Sequence, residues 1–212
     1  MFVRKTLKSY GLFFVSVLII GTAITIITNA GLGATAVTSL PFVISELWPV
    51  SFGLMTGLFN VLWVVLQIAI QRKSFPKVQL LQFGVSFVLG VAIDLSNVLL
   101  GFIQPQTYFW QMVMLIIGCM VMGFGIFVQL EAKAIYNPAE GIVAVITKNT
   151  KYPFGAVKTA FDSTLTILSI LLGLVVAGQV VGIREGTIIS AIIIGPFTGM
   201  FQTIFKRNEE LR

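Results

Sequence analysis

Very few side chains in this 212-residue sequence can act on another molecule. Histidine is absent and Cys119 is the single cysteine, so neither a Cys/His metal centre nor a disulfide framework can be assembled. No serine has an evident base beside it; we therefore expect no enzyme, no catalytic residue, no metal and no cofactor. What remains is a small set of polar or backbone-permissive positions inside apolar sequence: Asn29, Gly31, Gly33, Thr35, Asn60, Asn137, Glu140, Lys158 and Asp162. Charged groups in apolar surroundings persist where they meet a partner side chain, a proton, a cation or a polar substrate. Asp162 follows Lys158 by four residues, which is compatible with a helical ion pair that hides the charge. The alternative is an ion-coupling pair in which Asp162 exchanges Lys158 for a proton or a coupling cation. Asn137-Pro-Ala-Glu140 has the spacing of an N-cap, a first-turn proline and a carboxylate reaching back as a capping box. A direct contact of Glu140 with substrate is the other reading.

The elements that carry these residues are membrane spans. The composition is 57% hydrophobic and 10% charged, against about 25% charged in an ordinary soluble domain, and the mean hydropathy is +0.98. Six runs approach the roughly 20 residues that cross a ~30 Å hydrocarbon core: Tyr10 to Thr28, Phe52 to Ile70, Val78 to Gly101, Tyr108 to Leu130, Phe154 to Ala177 and Gly186 to Phe205. Two further apolar stretches, Thr35 to Trp48 and Asn137 to Asn149, are too short to span. If both are re-entrant and the amino terminus is inside, the twelve bases Arg4, Lys5, Lys8, Arg72, Lys73, Lys77, Lys133, Lys148, Lys151, Lys206, Arg207 and Arg212 face the cytoplasm, and Arg184 alone lies outside. If both span, the balance falls to eight against five. The excess of cytoplasmic bases favours the re-entrant topology. With the bases assigned to topology, no basic patch is left for nucleic acid.

Sliding the sequence against itself by 102 positions aligns its halves without a gap. Gly21, Ile24, Ala30, Val43, Ile44, Phe52, Gly53, Phe59, Leu66 and Ile68 meet identical residues, ten identities in 48 positions, where roughly four are expected by chance. Three crossings and one re-entrant half-helix per half make the second copy run upside down. The expected fold is an all-α membrane protein of six transmembrane helices and two half-helices. It forms a single membrane domain over 1–212 with 3+3 inverted repeats at about 9–103 and 108–206. Broken backbone at membrane depth is tolerated where it lines a cavity, and half-helix amino termini favour negative or dipolar groups. Asn29, Gly31, Gly33, Thr35, Asn137 and Glu140 are thereby candidate substrate contacts. By count of residues, Asn60 and Asp162 occupy equivalent repeat positions about 12 Å into their spans, near the midplane, and are candidate substrate contacts as well, whereas Asp94, about 24 Å along its span, belongs near the outer interface.

Gly31-Leu-Gly33 ahead of a short proline-containing helix, Phe52-Gly53 opening the next, and Gly186-Thr-Ile-Ile-Ser-Ala-Ile-Ile-Ile-Gly-Pro196 near the end resemble the YczE/YitT-type bacterial membrane proteins over nearly the whole chain. That resemblance implies a bacterial inner-membrane protein with a transport function; it carries no catalytic residues. The expected function is a transporter or facilitator for a small polar or anionic metabolite, with both termini cytoplasmic. The partners are membrane lipid and the small-molecule substrate, with a homodimer or larger transport complex left open. A substrate-binding subunit, or a non-transport regulatory or docking factor, is the alternative.

Overall fold

The computed structural model describes residues 7–132 and 134–210; Arg4, Lys5, Lys133 and Arg212 of the topology argument lie outside them. Among the described residues every regular element is helical, in the order α1 (Leu7–Asn29), α2 (Ser39–Leu47), α3 (Phe52–Gln71), α4 (Leu81–Leu100), α5 (Tyr108–Ala132), α6 (Pro138–Asn149), α7 (Phe154–Ala177) and α8 (Glu185–Glu210). Short 3-10 turns occupy Ala36–Thr38, Arg72–Ser74 and Lys77–Leu80. Six helices, all except α2 and α6, are long and apolar enough to cross a membrane. At 1.5 Å per residue, α2 and α6 are about 14 and 18 Å long.

Helix α7 coincides end to end with the expected span, and α6 begins one residue later than expected. The second apolar stretch of the first half is less regular. Residue 35 is not helical, residues 36–38 form a 3-10 turn, and α2 starts at Ser39, with Pro41 in its first turn where the missing N–H matters least. The span expected from Val78 begins as a 3-10 turn and becomes α-helical at Leu81. Helix α3 is closed by Arg72 at φ +48°, the one non-glycine residue with positive φ among those described.

The chain forms two compact units, each assembled from separate stretches of sequence. The first comprises residues up to 35, 95–134 and 184 onward: α1, α5, α8 and the end of α4. Val17, Ile20, Ile24 and Ile27 on α1, and Leu115, Cys119 and Met122 on α5, are buried at helical spacing, and α1 lies close against α5 where Gly118 faces Ile27 and Gly125 faces Ile20. Phe124 and Phe127 of α5 pack on Phe201 and Phe205 of α8. Thr22 of α1 and Ser96 of α4 are hydrogen-bonded at 3.0 Å.

The second unit comprises residues 36–94 and 135–183: α2, α3, most of α4, α6 and α7. Its core gathers Trp63, Ala139, Ile142 and Leu165, with Val37, Leu40, Phe59, Ile146 and Phe161 packed around them. The rings of Trp63 and Phe161 meet edge to face, 5.0 Å between centroids. Eight of these nine residues form pairs 102 positions apart: Val37 with Ala139, Leu40 with Ile142, Phe59 with Phe161, and Trp63 with Leu165. Helices α3 and α4 touch backbone to backbone, because a Cβ on Gly53 would lie only 2.0 Å from the carbonyl oxygen of Gly90. Phe87 and Val98 on α4 are exposed at 74% and 80%, as lipid-facing side chains of a membrane helix are.

Candidate functional site

In the first unit, the stretch after α1 is fastened rather than open. Gly31 and Gly33 adopt φ of +73° and +103°, which side chains resist. Arg184 Nη1 donates to the Gly31 carbonyl at 2.9 Å, and the Gly186 N–H donates to the Leu32 carbonyl at 2.8 Å. Asn29 Nδ2 donates to the Leu100 carbonyl at 3.2 Å, and Thr35 is buried. The two glycines are thus favoured by backbone conformation at these positions. The motif glycine at 186 has a packing reason as well, since a Cβ there would sit 2.5 Å from the Leu32 carbonyl oxygen.

In the second unit, the buried face of α3 carries Thr56, Asn60, Trp63 and Gln67 at helical spacing. Gln67 Nε2 donates to Gln82 Oε1 at 2.9 Å and to the Pro138 carbonyl at 3.1 Å, and Gln82 Nε2 donates to Gln79 Oε1 at 2.6 Å. The first turn of α6 is therefore tied to α3 by an amide buried to 2% exposure. Gly141 makes room for it: a Cβ there would lie 2.7 Å from Gln67 Oε1. On the other pair of helices, the hydroxyls of Ser39 on α2 and Ser169 on α7 are 2.9 Å apart and fully buried. Thr56, Gln67 and Gln82 were missed by sequence reasoning. The signal for Thr56 and Gln67 was available, since Thr56, Asn60 and Gln67 recur on one face of an otherwise apolar run.

Around the α6 start, the structure brings four predicted residues together. Lys158 Nζ donates to Asp162 Oδ1 at 2.6 Å along α7, both side chains about a quarter exposed. Glu140 feels the charges of both Lys158 and Asp162, and the Asn137 amide reaches its carboxyl group. Asn137 does stand at the N-cap of α6 with Pro138 behind it, but its side chain makes no cap hydrogen bond. The expected capping box is corrected accordingly: its N-cap half, the Asn137 side chain bonded to the first-turn amide groups, is not formed. Among the described residues no donor reaches Glu140 Oε2, although that atom is shut off from solvent. Asp162 is engaged with Lys158 along its own helix, and Asn60 lies buried on α3.

Asp94, placed near an interface by residue counting, has a structural task. Its Oδ1 accepts from the Gly53 N–H at 2.8 Å and its Oδ2 from the Ser51 hydroxyl at 2.6 Å, while Ser51 Oγ accepts from the Leu54 N–H. The carboxylate thus sits on the positive end of α3.

Six long apolar helices with polar groups on buried helix faces define an α-helical protein of the multi-pass membrane class. The chain belongs to the family of unknown function DUF6198, whose model matches residues 7–203. No curated protein and no solved structure matches it.

Proposed function

We propose that this protein is a transporter or facilitator for a small polar or anionic metabolite, and that its polar path runs within the second unit. One observation carries the reading. The polar stripe of α3, Thr56, Asn60 and Gln67, has its counterpart 102 residues on in Lys158, Asp162 and Ser169 of α7. The helices bearing the two stripes meet at Trp63 and Phe161. Polar side chains at corresponding positions of two transmembrane helices are costly in hydrocarbon and mark substrate or ion paths.

An inverted repeat is part of the proposal. It is supported by the paired core residues and by helix bounds that correspond at the same offset, α3 starting at Phe52 and α7 at Phe154. It is supported further by the equivalence of two contacts: Ser39 on α2 meets Ser169 on α7, and Gly141 on α6 meets Gln67 on α3. In this reading α2 and α6 are re-entrant half-helices, and the protein resides in a bacterial inner membrane with both termini inside, as the resemblance to YczE/YitT-type proteins implies. Glu140, Asn137, Asp162 and Asn60 contact the substrate. Asn29, Gly31, Gly33 and Thr35 shape the backbone that precedes the first half-helix.

The test is thermal-shift screening of the detergent-purified protein against polar metabolites, since a ligand stabilises the state it binds, followed by flux of each hit into proteoliposomes. Saturable flux supports transport. Binding without flux favours a substrate-binding subunit, and no ligand at all together with capture of a soluble partner favours a regulatory or docking factor.

A further inference from the structure

Three ionisable groups converge at the junction of α6 and α7, and they are not equally satisfied. Lys158 and Asp162 neutralise one another at 2.6 Å. Glu140 adds a second carboxylate within range of both, so the ionised cluster carries one net negative charge. Its Oε2 is buried and, among the described residues, has no hydrogen-bond donor. Helix α6 packs against α3 and α7. The facing residues of α3 are Trp63 and the uncharged Gln67, whose amide is committed to Gln82 and the Pro138 carbonyl. Nothing titratable lies anywhere on α3. From α7 the charged groups are Lys158 and Asp162, and on α6 itself Lys148 lies at the far end. A buried carboxylate oxygen in this position gains a partner most directly by binding a proton.

We infer that Glu140, and not Asp162, is the proton-binding carboxylate of this protein: its buried Oε2 takes up a proton beside the Lys158–Asp162 ion pair. The step is an addition of H⁺ to the carboxylate to give the carboxylic acid, with no other bond made or broken, and it changes the cluster from one net negative charge to zero. The inference deepens the transport reading, because a neutral cluster admits an anionic substrate that a negative one repels. A proton and an anion would then occupy the site together.

The experiment is infrared difference spectroscopy of the full chain in lipid nanodiscs, titrated with pH in the absence of any metabolite. Wild type should show a protonated-carboxyl C=O band that disappears as pH rises. D162N should keep that band, and E140Q should lack it. The E140D variant covers the case in which E140Q does not fold: it should retain a titrating band at a displaced frequency. Loss of the band in D162N with its survival in E140Q, or no titrating band in wild type, overturns the assignment. The readout is separate from transport. A Glu140 band in a protein that moves no metabolite upholds the proton site and removes the transporter reading, whereas metabolite flux with no Glu140 band does the reverse.

Discussion

Removing the Asp94 carboxylate tests how α3 is anchored. Its two hydrogen bonds, 2.6 Å from the Ser51 hydroxyl and 2.8 Å from the Gly53 N–H, are charge-assisted, a class worth about 1.5 to 3 kcal/mol each. Ser51 is exposed and Asp94 half-buried, so solvent screening brings the pair to the lower end. Asp94→Ala also strips a negative charge from the start of α3, a further effect of about 0.3 to 1 kcal/mol. We expect a net loss of about 2 kcal/mol. Asp94→Asn keeps an acceptor for Gly53 and removes the charge, so it should lose about half as much. Reversible unfolding by SDS titration in mixed micelles measures both. Asp94→Ala within about 0.5 kcal/mol of wild type, or an asparagine variant as damaged as the alanine variant, would show that the carboxylate does not anchor α3.

Gly53→Ala should be far worse than an ordinary helix substitution, lowering stability by about 3 kcal/mol, because its Cβ would overlap the Gly90 carbonyl oxygen and the Asp94 carboxyl; SDS unfolding and size-exclusion homogeneity report it. Gly33→Leu should lower the thermal unfolding temperature even without ligand, since a side chain at φ +103° is strained; unchanged stability with lost ligand binding would return this glycine to a substrate-contact role. Single cysteines at Ser74 and Gln104, both exposed, in a Cys119-free background should react with impermeant reagents from the cytoplasmic and external sides respectively. External labelling at position 74 would rule out re-entrant α2 and α6.

The polar groups divide into those paired within the fold and those left without a partner among the described residues, and the division follows geometry more than residue type. Asp94 and Glu140 are both carboxylates at the start of a helix. Asp94 reaches across from α4 and finds two donors at the start of α3, the N-cap Ser51 hydroxyl and the Gly53 N–H, which satisfies both of its oxygens. Glu140 sits within the first turn of its own helix and leaves Oε2 without one among the described residues. The same contrast separates Gln67, saturated by Gln82 and Pro138, from Thr56, whose buried hydroxyl has no partner among the described residues.

Helix extent was legible in the sequence because it depends on local terms, the long apolar runs; the structure adds Pro153 ahead of Phe154 and Gly178 in the left-handed conformation behind Ala177 as the local stops of α7. The Lys158–Asp162 pair was legible for the same reason, as four residues on one helix fix their separation. Residues that the 102-position offset pairs in the sequence also lie together in the core of the second unit. Side-chain destinations between helices were not legible. That Gln67 reaches the Pro138 carbonyl, that Asp94 caps a helix 41 residues earlier in the chain, and that Glu140 joins Lys158 and Asp162 all depend on which helix faces meet. An apolar helix offers many nearly equivalent faces for packing in lipid. Only the tertiary structure, where close approaches such as Gly53 against Gly90 choose one of them, decides which polar groups become partners and which remain unsatisfied.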